Sequence, residues 1–296
     1  MGSVRRTVFN YAQLMRVSNL PTCLANVLTG AAIGMQFQQP SIVKVISLVV
    51  VISCYYCGGM ILNDLCDINY DRKHRPNRPL VTGDISFRNA LIITVFLFVV
   101  PTVILFFIAA HALSLAAALL ACIILYDLLH KKISYSVVFM GACRSMVYVI
   151  CAVAVAEPSQ SAAAIKVSLP FAIIIGFYIL SITIVARMEN RSIVDWRKWL
   201  SIAMPLALFA ILFFQRPTHV RPALIAVVAL AACMFTACWF VFIKPPLIKL
   251  AVLTWLSGIC IVDAWFLTVL DQPMLAIIPG ICSIITMYGY KRISGT

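Results

Sequence analysis

Apolar runs of roughly 20 residues recur from one end of the chain to the other, near 17–36, 42–62, 89–110, 112–130, 134–156, 167–187, 199–215, 221–243, 248–268 and 272–290. That length matches the hydrocarbon thickness of a bilayer spanned by a helix, whereas a transmembrane strand needs only about 10 residues. Hydrophobic residues make up 63% of the 296, and charged residues only 11%. Soluble chains carry about 25% charged residues, so a soluble fold could not cover its surface here. The expected fold is all-α: a polytopic bundle of nine or ten transmembrane helices forming a single domain over 1–296.

The net charge of +13 does not form one nucleic-acid-binding patch. Its basic residues lie between the apolar runs, where the positive-inside rule places them. With a cytoplasmic N-terminus and ten crossings, only Lys44, Lys166, Arg216 and Arg221 fall outside, and Arg144 falls within a span. The remaining Lys and Arg all fall inside. Arg5, Arg6 and Arg16 open the chain with no short apolar core and A-x-A-like site after them, so no cleavable signal is expected. The 11 cysteines lie mostly within apolar runs and read as small packing residues. Cys54 and Cys57 form a C-x-x-C without a second pair, which is no metal site.

Ten carboxylates serve the whole chain, and three of them lie in Asn63-Asp64-Leu65-Cys66-Asp67-Ile68-Asn69-Tyr70-Asp71. On a helix Asp64, Asp67 and Asp71 share one face. Such carboxylates repel one another unless a cation sits among them, and oxygen-only ligands favour Mg²⁺ over zinc. Arg72, Arg75 and Arg78 follow at once, with Pro76, Pro79 and Gly83 shaping the turn. A metal-binding carboxylate face beside an arginine-rich loop suits a diphosphate, whose oxygens can be shared between Mg²⁺ and guanidinium groups.

These residues resemble the UbiA superfamily of intramembrane prenyltransferases. Asn63, Asp64, Asp67 and Asp71 match its first signature, N-D-x-x-D-x-x-x-D, and the stretch from Asp71 to Gly83 resembles its basic loop. The stretch from Arg16 to Gly30 resembles its first helix, with Asn26 at the polar position that faces the site. The resemblance implies nine spanning helices and transfer of a prenyl group from an isoprenyl diphosphate to a lipophilic, often aromatic, acceptor with Mg²⁺. It implies catalytic and metal-binding roles for Asp64, Asp67 and Asp71. Asn26, Asn63, Arg72, Arg75, Arg78, Tyr126 and Lys131 become candidates for binding substrate.

Two departures stand out. Where the family commonly has a second D-x-x-x-D, this chain reads Arg187-Met188-Glu189-Asn190-Arg191. Glu189 is left as the one metal-ligand candidate there, and Arg187 and Arg191 become phosphate-binding candidates. The family's Y-x-x-x-K is replaced by Tyr126 and His130, with Lys131 and Lys132 following. The A-R-x-E-N variant resembles the UbiA-like proteins of bacterial ebo operons. Arg144, deep in the fifth span, is expected to face the site, because an intramembrane arginine is costly and is kept opposite a partner or a ligand. Asp263 is the other intramembrane charge. The expected location is a bacterial inner membrane, with the active-site mouth cytoplasmic. A non-catalytic carrier of a lipid-linked metabolite and a UbiA-like isoprenoid cyclase are the competing readings.

Overall fold

The computed structural model describes residues 3–130, 133–187, 199, 220–243 and 246–292. Among them every regular element is a helix. A surface helix, α1 (Ser3–Leu14), is followed by α2 (Leu20–Gly34), α3 (Ile42–His74) and a single turn, α4 (Pro79–Thr82). Then come α5 (Phe87–Ala109), α6 (Leu113–Leu129), α7 (Val137–Val155) and α8 (Ser161–Ala186). The described chain closes with α9 (Val220–Phe242), α10 (Ile248–Val269) and α11 (Ile277–Arg292).

Local chemistry sets several boundaries. Ser41 and Ser86 cap α3 and α5, each hydroxyl accepting at 3.2 Å from the backbone N–H three residues on. Gly83 ends α4 at φ 80, a conformation that suits glycine. Residues Phe87–Leu129 form one apolar stretch of 43 residues. As one helix it would measure about 65 Å, twice the ~30 Å hydrocarbon layer. It breaks at Ala109, where ψ turns to 66, into two passes.

Among the described residues six segments are long and apolar enough to cross a membrane, and a shorter apolar helix covers Ile277–Tyr290. Two expected spans are shorter than their apolar runs. The run 17–36 opens with a 3-10 turn at Val17–Asn19, leaving 15 residues in α2. The run 272–290 becomes helical only at Ile277, after a turn in which Asp271 takes φ 58 and Pro273 follows. In contrast α3 runs on past 62 to His74. At 33 residues it is about 50 Å long and must emerge from the apolar layer. The expected span 199–215 lies, but for Trp199, outside the described residues.

α2 is the central post, packed against α3, α7, α10 and α11. Gly30 and Gly34 permit this approach: a Cβ on Gly30 would stand 2.7 Å from Cys151 Cβ, and one on Gly34 2.6 Å from Val155 Cβ. One hydrophobic core joins α7, α8, α9 and α10 around Ile175, Tyr178, Trp255 and Phe266. A second joins α2, α3, α5, α6 and α7 around Val27, Leu48, Tyr55, Leu105 and Ile150. Large apolar side chains such as Phe96, Phe107, Phe177, Ile225 and Phe235 point outward. In water such a surface would aggregate, and in a bilayer it is solvated.

Candidate active site

The emergent end of α3 carries the acidic face. Asp64, Asp67 and Asp71 are all buried there. Arg78, delivered back over the helix by the turn before α4, donates from Nη1 to Asp64 Oδ1 and to Asp71 Oδ2, each at 2.7 Å. Arg16 reaches Asp64 Oδ1 at 3.4 Å from a left-handed backbone conformation, φ 48 and ψ 49. That conformation is unusual for a residue with a Cβ and costs strain. Thus the Arg78 guanidinium stands as counter-charge between Asp64 and Asp71.

The ends of α6, α7 and α8 meet this face. Asn63 Nδ2 donates to Asp127 Oδ1 at 2.9 Å, and His130 Nε2 stands 3.2 Å from Asp67 Oδ1. Burial works against a charged imidazole, but the hydrogen bond and charge of Asp67 outweigh it and hold the His130 pKa above its ordinary value. Tyr126 stacks on His130 with ring centroids 5.2 Å apart. Arg187 Nη2 lies 3.0 Å from Ser136 Oγ and 3.4 Å from the His130 carbonyl.

Directly beneath lies a cavity with about 650 Å³ of empty space, its open mouth included. Met60, one turn before Asp64, lines it with Tyr56, Ile52, Leu119 and Ile123. Tyr126 and Asp127 belong to both the cavity wall and the acidic mouth. Arg144 lines the cavity too, its guanidinium carbon 5.6 Å from the centre of the Tyr56 ring. The arrangement combines an apolar chamber with a charged rim, suited to an amphiphile with an anionic head.

The candidates named from sequence divide into groups. Asp64, Asp67, Asp71, Asn63, Arg78, Tyr126 and Arg187 cluster at the mouth. Asn26 and Arg144 pair deeper, at 2.6 Å. Arg72 is exposed and Arg75 half-buried at the C-terminal end of α3. Lys131, Glu189 and Arg191 lie outside the described residues. Sequence reading passed over Arg16, Asp127 and His130 as site residues. Asp127 had a signal, as the one carboxylate within the apolar run 112–130. Arg16 had none, since it is one of many inward-side basic residues and only the fold aims it at Asp64.

The donor set suits Mg²⁺ in kind. It is all oxygen, and Asp71 Oδ1 and Asp127 Oδ2 are buried with no hydrogen-bond partner among the described residues. No three His, Cys, Asp or Glu side chains among those residues stand close enough to enclose one ion. Mg²⁺ does not require that, because it is usually held by one or two carboxylates and completed by substrate phosphates.

The model of the UbiA prenyltransferase family matches residues 23–276. The chain belongs to that family. Curated relatives include a digeranylgeranylglyceryl phosphate synthase of Sulfurisphaera tokodaii, 32% identical over 116 residues, covering 39% of this chain and 41% of that protein. Naringenin 8-dimethylallyltransferase 2 of Sophora flavescens is 43% identical over 49 residues, 17% of this chain and 12% of that protein. The chain therefore spans less than half the length of these relatives. A UbiA homologue from Aeropyrum pernix K1 superposes with a TM-score of 0.69 over 85% of this chain and 97% of that one, at 17% identity. At that identity the likeness is one of fold. In this UbiA-family chain, then, the mouth formed by α3, α6 and α8 is the place to look for chemistry.

Proposed function

We propose that this multi-pass membrane protein transfers an isoprenyl group from an isoprenyl diphosphate to a lipophilic acceptor. The observation that carries the reading is the joining of a carboxylate–guanidinium rim to an apolar cavity through shared walls, Tyr126 and Asp127. The prenyl tail lies in the cavity, where burial of apolar surface holds it. The diphosphate sits at the rim. Asp64, Asp67 and Asp71, with Glu189 from the next motif, are the residues that would hold Mg²⁺, which when bound neutralises charge on the departing diphosphate.

The chain's own residues do the rest. Arg78 and Arg16, already beside Asp64, offset the repulsion between carboxylates and diphosphate, and Arg72, Arg75, Lys131, Arg187 and Arg191 supply further N–H donors to phosphate oxygens. Asn63 holds Asp127 in place. The apolar walls exclude water from the allylic cation left when the carbon–oxygen bond breaks, and the faces of Tyr56 and Tyr126 stabilise its charge. Arg144 contacts substrate from the deep side, and Asn26, fully buried behind it, supports Arg144 without reaching the cavity. The acceptor's nucleophilic atom then forms the new bond and loses its proton. We take the domain to be the whole chain, the mouth to be cytoplasmic and the membrane to be a bacterial inner membrane, on the distribution of Lys and Arg.

The test is diphosphate release by purified protein from dimethylallyl, geranyl, farnesyl and geranylgeranyl diphosphates, with and without a panel of phenolic and lipid acceptors. Acceptor-dependent release with a prenylated product supports transfer. Equal release without any acceptor identifies a cyclase or hydrolase, and binding with no release identifies a carrier.

A further inference from the structure

Below the cavity α2, α7 and α10 enclose a second polar cluster, whose carboxylate, Asp263, was given no part in the chemistry above. Asp263 of α10 is fully buried. It accepts from Tyr148 OH at 2.5 Å, Asn26 Nδ2 at 2.7 Å and Thr29 Oγ1 at 2.8 Å. Asn26 is fully buried as well, and its other N–H points at Tyr148 OH, 3.1 Å away. Its carbonyl end accepts from Arg144 Nη1 at 2.6 Å, while Arg144 Nη2 donates to Thr22 Oγ1 at 3.0 Å.

A carboxylate accepts hydrogen bonds and a guanidinium only donates them. A side chain standing between the two must therefore show donors on one side and an acceptor on the other. The amide of Asn26 does this in one orientation only. Flipped, it would set its N–H groups against those of Arg144 and its carbonyl against Asp263, and buried mismatches of that kind are expensive. Asp263 thus dictates which way Asn26 faces, and Asn26 dictates where the Arg144 head is held. The two intramembrane charges offset one another across a neutral adaptor, at a depth where a lone charge is disfavoured.

We infer that Asp263 is a positioning residue that acts through Asn26 to hold Arg144 in the cavity wall in the orientation that meets substrate. The inference rests on Arg144 contacting substrate, as in the function proposed above. Asp263 itself touches none.

Two measurements test this. The first is independent of activity: melting temperatures of Asp263→Asn, Arg144→Met and the pair, in the natural sequence and in an Asn26→Leu background. Coupling through Asn26 predicts that the pair is no less stable than the worse single variant, and that the losses become additive once Asn26 is replaced. Additivity in the natural sequence overturns the inference.

The second uses geranylgeranyl diphosphate and whichever acceptor the panel yields. Asp263→Asn should raise the KM of one substrate on the order of tenfold, the size seen when a supporting partner of a site residue is lost. It should be the same substrate whose KM rises in Arg144→Lys. The exchange Asn26→Asp with Asp263→Asn, which gives Arg144 a carboxylate directly and leaves a donor facing it, should restore the natural value. A lowered melting temperature with both KM values unchanged, or an exchange variant that folds but does not recover, contradicts the proposal. If Asp263→Asn alone does not fold, the exchange variant decides. If no acceptor is prenylated, the functional reading fails and the melting cycle still decides the coupling.

Discussion

At the residue scale the site is a balance of buried charges, and Arg78 is its pivot. Its side chain is 7% exposed and bridges two carboxylates that are as deeply buried. Removing one partner of such a pair leaves uncompensated buried charge and costs about 3–5 kcal/mol. Arg78→Ala should therefore lower the melting temperature clearly, and Arg78→Lys, a point charge without the guanidinium fork, should recover only part of it. Thermal unfolding in detergent checks both. Arg72→Ala, at an exposed position near the end of α3, should leave the melting temperature nearly unchanged. The co-facial aspartates were legible in the sequence because helical spacing alone aligns them. The role of Arg78 as their counter-charge was not, because it depends on the turn at Pro79 folding back over α3. His130 was legible only as the residue at the last position of the Y-x-x-x-K pattern, and its contact with Asp67 needs α6 and α3 side by side.

At the element scale the length of α3 matters most. Hydropathy marks where its apolar part stops, near 62, but the helix continues to His74 because nothing in the acidic segment breaks it before Pro76. The ends of α2 and α11 were less legible. The 3-10 turn before α2 and the turn at Asp271 and Pro273 sit inside apolar runs and shorten helices that composition alone would extend. α2 can be the central post only because Gly30 and Gly34 let it approach α7. Gly30→Leu should force the pair apart, with a loss of roughly 1–3 kcal/mol from overpacking. Displacing α2 also displaces Asn26, so donor turnover in that variant should fall by more than its folded fraction. Comparing the two measurements separates the effects.

For the whole molecule, the apolar runs gave the fold class and the acidic motif marked the candidate rim, while the cavity's walls come from two consecutive helix pairs, α2 with α3 and α6 with α7, that lie far apart in sequence. The proposed orientation rests on the distribution of basic residues and is tested by labelling single cysteines introduced at Asn77 and Ser192. Both should react with an impermeant thiol reagent only from the cytoplasmic side, and labelling of either from outside would reverse the topology. The second motif carries a separate prediction. In the sequence Glu189 lies between Arg187 and Arg191, and we propose that these arginines act there by direct contact with phosphate. Arg187→Ala or Arg191→Ala should weaken donor binding at least as much as Glu189→Ala. The central claim is that the carboxylate face of α3 and Mg²⁺ together hold the diphosphate of a prenyl donor. Calorimetric binding of geranylgeranyl diphosphate tests it most directly, in Mg²⁺ and in EDTA, for the natural protein and Asp67→Asn. Binding should require Mg²⁺ and be lost in the variant while the protein stays folded; equal affinity in EDTA would contradict the account.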